Sequence, residues 1–140
     1  MQTTWAYPAI FTQRDGEVLV RFPDVPEAIT GAATMEGARV LAADALEEVI
    51  LSYLASGSPI PAPRRPNKGE EAVALDPLTA GRAAVASLMA KKHVSKVALA
   101  ALIQRDEKVV RRILDGAGVV TMDNVTVALR ALGAHPTLAA

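Results

Sequence analysis

The chain has 140 residues, 51% of them apolar, with 15 basic and 15 acidic side chains and no cysteine. That length holds one ordinary domain or two small ones around a real core, and the absence of cysteine excludes disulfides and thiolate metal sites. No apolar run approaches the ~18 residues of a membrane span, and Met1 to Phe11 has neither the basic start nor the apolar centre of a signal peptide, so a cytoplasmic protein with no membrane contact is expected.

The zero formal charge hides an asymmetry. Residues 1–63 carry eight acids against three bases, whereas residues 78–133 carry nine bases against four acids. An acidic front joined to a basic back predicts two modules, 1–75 and 76–140, with partners of opposite charge.

The front opens with strands. Trp5 to Phe11 is aromatic and β-branched, and Asp15-Gly16 is a hairpin turn signal before the returning strand Glu17 to Phe22. Pro23 and Pro26 then break the ladder, because neither can donate a backbone hydrogen bond. A short third strand fits Ala28 to Ala32. Thr34 caps a helix with Glu36 in its first turn and an inner stripe of Ala38, Leu41, Ala42, Ala45, Val49 and Tyr53, widened by Leu46 and Ile50. Ser56-Gly57 ends it. Pro59 to Gly69 reads as an extended loop, and Ala72 to Leu75 as a last short strand. The expectation is a β-β-β-α-β module in the α+β class.

The back is helical. Asp76-Pro77 pairs a cap with a proline whose missing N–H costs nothing in a first turn, and Leu78, Val85, Leu88 and Met89 face inward. Ser95 caps a short helix with Leu99, Leu102 and Ile103 inside. Gln104-Arg105 makes a brief turn, and Asp106 caps a second short helix with Val109, Val110 and Ile113 inside and Gly116 at its end. Glu107, Lys108, Arg111 and Arg112 are then left outside. That is the geometry of a helix-turn-helix, whose second helix enters the DNA major groove. Thr121 caps a last helix with Met122, Val125, Ala128, Leu129 and Leu132 on one face, closed by Gly133 and Pro136.

Several stretches also carry a family likeness. Tyr7-Pro8-Ala9-Ile10-Phe11, the acidic-glycine turn, Val20 to Pro26 with Ala28-Ile29-Thr30 after it, the Thr34-led Ala/Leu helix and Ser58-Pro59-Ile60-Pro61 resemble the HicB antitoxin family in order and spacing. The likeness covers roughly the first half. The second half is similar to the Cro-like helix-turn-helix family, in Ser95-Lys96, Leu99-Ala100, Asp115-Gly116 and Leu132-Gly133. It departs from that pattern at Gln104, where glycine is usual, and at Leu114, often glutamate.

The resemblance implies a partial ribonuclease-H-like fold without nuclease activity, binding HicA, a small basic toxin that cleaves messenger RNA with a histidine. A net negative front suits a cationic partner, and Asp15, Glu17, Asp24 and Glu27, at turns and strand ends, are the candidate toxin contacts. Lys96, Arg105, Lys108 and Arg112 are candidates for DNA phosphates; Lys108 and Arg111, with Glu107, are candidates for base edges. So small a helical core also favours a homodimer, or a tetramer, through the back module.

Catalysis is not expected. No strand carries a central acid flanked by apolar residues, Asp44 and Glu48 read as a solvated face, and His93 and His135 have no partner at metal-ligand or triad spacing. No cofactor or metal is implied. The competing reading is a stand-alone helix-turn-helix repressor with a small-molecule-sensing front, which no phosphate-loop motif supports.

Overall fold

The computed structural model describes residues 5–116 and 118–134. Four strands and five helices follow in the order β1 (Ala6–Arg14), β2 (Glu17–Arg21), β3 (Ile29–Ala32), α1 (Met35–Ser56), β4 (Glu71–Ala74), α2 (Pro77–Lys92), α3 (Lys96–Ile103), α4 (Glu107–Asp115) and α5 (Met122–Ala131). The chain is thus α+β, with a mixed front and a helical back. It folds as two units, one of residues 3–49 and 61–75, the other containing 50–60 and the chain from 76 onward.

In the first unit an antiparallel sheet has the strand order β3-β2-β1-β4. The hairpin is set by its turn: Arg14 pairs with Glu17 across Asp15-Gly16, whose φ angles of 53° and 76° are the double left-handed pair of a type I′ turn. β1 is longer than its aromatic start suggests and changes partner along its length, pairing with β4 over Ala6 to Ala9 and with β2 from Ile10 to Arg14. Pro8 therefore falls where β1 has a single neighbour, which is where a strand tolerates a residue without an N–H. Alternation along β2 buries Val18 and Val20, with Tyr7, Ala9, Phe22, Val25 and Ala28 also in the core.

α1 is capped as its sequence requires, the Gly37 N–H donating to Thr34 Oγ1 at 3.0 Å. Its buried line is Ala38, Ala42, Leu46, Ile50 and Leu54, a strict spacing of four. Leu41, expected inside, is 41% exposed. The helix is apolar on several sides, so periodicity alone does not choose which apolar stripe is buried. Ion pairs then tie down the segment after α1. Arg39 Nε and Nη2 donate to Glu71 on β4 at 2.9 and 3.0 Å. Arg64 Nε donates to Asp24 at 2.7 Å, and its Nη1 and Nη2 meet Glu70 at 2.8 and 3.1 Å. The Tyr7 hydroxyl donates to the Pro61 carbonyl at 2.6 Å. The proline-rich loop is therefore fastened to the sheet end and not merely solvated.

The second unit packs Val85, Met89, Leu99, Ile103, Val110, Ile113, Val125 and Leu129 into one core. All four of its N-caps accept as expected: Asp76 from Leu78 N, Ser95 from Ala98 N, Asp106 from Lys108 N and Thr121 from Asn124 N, at 2.8–3.2 Å. Leu102 departs from expectation, being 61% exposed, because on an eight-residue helix Leu99, Ala100 and Ile103 take the inner positions. The expected closing Pro136, like His135, lies outside the described residues. Among the described residues no helix is long and apolar enough to cross a membrane.

Glu70 yields a pH test. Hydrogen bonds from Arg64 and from the Asn67 N–H hold its carboxyl down from 4.5 to about 2. A depressed carboxylate contributes stability above its unfolded value and loses it as pH falls toward the folded one. Thermal unfolding from pH 7 to 2.5 is expected to show this loss below pH 4.5 in the wild type, and a shallower acid limb in Glu70→Gln.

Candidate functional site

The basic half of the chain builds its surface around α4. On a helix turning about 100° per residue, burial of Val110 and Ile113 forces Lys108, Arg111 and Arg112 to the opposite side, where all three are exposed. Glu107 is half-buried in the first turn. Lys96 is exposed in the first turn of α3, and it lines the same cleft of about 1030 Å3 as Arg111 and Asp115.

The turn before α4 is made without glycine. Gln104 has φ 55° and ψ 48°, and the Arg105 N–H reaches Ala100 O at 3.1 Å while the Gln104 N–H reaches Ala101 O at 3.2 Å. These are the two hydrogen bonds of a Schellman closure, with glutamine in the left-handed position. His93 closes α2 in the same way, with φ 55° and the Val94 N–H on Met89 O at 2.9 Å.

Arg105 is drawn away from the phosphate-facing surface expected of it. Its Nη1 donates to Asn124 Oδ1 and lies 3.6 Å from Asp123 Oδ2, so the side chain joins the turn to the start of α5. Lys92 similarly donates to the Leu132 carbonyl near the end of α5.

A third base is missing altogether from the expected set. Arg82 on α2 is 5% exposed. Its Nε donates to Ile113 O at 3.0 Å, its Nη2 to Arg112 O at 3.1 Å and its Nη1 to Gly118 O at 3.4 Å. These carbonyls lie at and beyond the C-terminal end of α4, where no intrahelical donor follows and the dipole is negative. A guanidinium is suited to them, having five fixed donors and a permanent charge. The signal was present in the sequence: Arg82 stands one turn from Leu78 and from Val85, on the apolar stripe of its own helix. A charge in that position must find buried acceptors.

The acids expected to meet a toxin are not gathered into one place. Asp15 and Glu17 lie at the hairpin turn, whereas Asp24 and Glu27 follow the other end of β2, about 14 Å along a five-residue strand. Asp24 is already paired with Arg64. Among the described residues no group of three His, Asp or Glu side chains is arranged to hold a metal ion.

Residues 6–84 match the model of a HicB-like antitoxin of bacterial toxin-antitoxin systems. The chain belongs to the HicB-like antitoxin family. It is also 32% identical, over its whole length and 99% of the relative, to a protein named Antitoxin HicB 2 from Photorhabdus laumondii subsp. laumondii. The antitoxin is accordingly a regulatory protein, not an enzyme, and a toxin is its partner.

Two substitutions test how the antitoxin holds α4. Arg82→Met is expected to lower stability by about 2–3 kcal/mol, since it leaves buried carbonyls without a charged donor. Gln104→Gly is expected to raise stability by up to about 1 kcal/mol by relieving the left-handed glutamine. Urea unfolding of both variants measures the two shifts.

Proposed function

We propose that the chain neutralises a HicA-type, messenger-RNA-cleaving toxin by direct binding, and represses its own operon by binding operator DNA as a dimer, both in the cytoplasm. In this reading residues 1–75 serve the toxin and residues 76–140 form a helix-turn-helix domain, with α4 as the recognition helix. One observation carries the DNA half: α4 exposes Lys108, Arg111 and Arg112 together while Arg82 fastens its far end to α2.

The contacts divide by chemistry. Lys96, Lys108 and Arg112 neutralise phosphates and set register, while Arg111, between Glu107 and Lys108 on the outer face, reaches base edges. Arg105 serves from within, keeping α5 against the turn. Two copies related by a two-fold axis place their recognition helices one DNA turn apart, ~34 Å, on a palindromic site. On the toxin side, the acidic unit covers the cationic surface that would otherwise grip RNA, and opposite charge speeds the encounter.

Fluorescence anisotropy with the protein's own promoter DNA tests the reading. Arg111→Ala is expected to cost on the order of 1–3 kcal/mol on the operator and to relax its sequence preference, whereas Arg112→Ala lowers the salt slope by about one. Unchanged affinity and preference in Arg111→Ala would remove that residue from base recognition. Co-expression with the neighbouring toxin should restore growth; persistent toxicity beside soluble antitoxin would defeat the neutralisation half.

A further inference from the structure

We infer that the toxin is held on the outward face of α1, where three exposed carboxylates, Glu36, Asp44 and Glu48, surround an apolar centre of Val40 and Leu41. The inference rests on the reading that the front unit binds toxin directly, and it names the surface.

The buried line Ala38, Ala42 and Leu46 fixes how α1 is rotated. Arg39 leans to one flank, where it holds Glu71 of β4. At about 100° per residue Val40 then lies almost opposite the buried line, and Leu41 lies on the flank away from Arg39. Both are open to water, Val40 at 60% and Leu41 at 41%. Glu36 is four residues before Val40 and Asp44 four residues after it. Asp44 and Glu48 stand three and seven residues beyond Leu41. Residues at these intervals share a helix face. Arg39, the sole base between Glu36 and Glu48, is turned away to Glu71.

Such a face works against its own helix. Asp44 repels Glu48 at four-residue spacing, and the two branched apolar side chains keep their surface in water. A partner that supplies cations around an apolar side chain relieves both. The apolar centre excludes water while the acidic collar steers the approach. A second copy would bring the same carboxylates against these, and a nucleic acid would bring phosphates, so the complementary occupant is a cationic protein surface. The family provides one protein partner, a toxin. The remaining acids form no comparable patch: Asp15-Glu17 and Asp24-Glu27 are separated by the length of β2, and Arg64 occupies Asp24.

Calorimetric titration of the full-length protein with the toxin encoded beside it tests the assignment. Asp44→Lys/Glu48→Lys is expected to weaken binding on the order of 100-fold, mostly through slower association at low salt, and Val40→Ser about tenfold. Lysine is as good a helix former as glutamate, and the serine variant leaves the charge untouched. Circular dichroism should show wild-type helix content, and operator affinity should be unchanged in both. Wild-type toxin affinity in both variants would overturn the inference, as would an equal loss from Asp15→Lys/Glu17→Lys. A change in operator affinity in Asp44→Lys/Glu48→Lys would overturn it too, assigning the face to the chain's own basic unit. Failure of the wild-type protein itself to bind the toxin would instead bring down the neutralisation reading.

Discussion

Arg82 is the one buried charged side chain among the described residues, and it is buried where α4 stops. Nine residues of helix do not hold their shape alone in water; α4 persists because its apolar side is packed and its last carbonyls are satisfied. A neutral side chain in place of Arg82 would fill the space without supplying donors to three carbonyls. The guanidinium supplies them from the same helix that contributes Val85 and Met89 to the core, so the end of α4 and the apolar centre of its unit are fixed by one element. The direction in which Lys108, Arg111 and Arg112 project follows from that.

The two halves use their charges in opposite ways. In the sheet unit Arg39 is paired with Glu71 and Arg64 with Asp24 and Glu70, while Arg14, Arg21, Arg65 and Lys68 are exposed. Glu36, Asp44 and Glu48 on the outer face of α1 stay exposed. In the helical unit Asp106 caps α4 and Asp123 lies beside Arg105, while Lys91, Lys96, Lys108, Arg111, Arg112 and Arg130 are exposed. Arg82, Lys92 and Arg105 are the bases used internally. The opposed net charges suit a protein that, as proposed, meets a cationic toxin with one half and a polyanion with the other.

Local chemistry was readable one residue at a time. The caps at Thr34, Asp76, Ser95, Asp106 and Thr121 and the Asp15-Gly16 turn rest on a side chain or glycine acting within four residues of itself, and all are where the sequence implies. The order of strands and helices followed, and with it the fold class. So did the outward face of α4, because that helix separates charge from hydrocarbon cleanly. α1 does not. With alanine, leucine and valine on several sides it offers more than one apolar stripe, and the choice that exposes Leu41 was made by tertiary packing.

The elements, their caps and turns, the opposed charges of the two halves and the family likeness can all be read along the chain, because each depends on near neighbours in it. Which charges are free is a different matter, settled by folding. Arg82 finds its acceptors about thirty residues away, Arg105 meets Asn124 nineteen residues on, and Arg64 meets Asp24 forty residues back. A side chain's charge is local, but its availability depends on what the fold brings within about three ångströms of it.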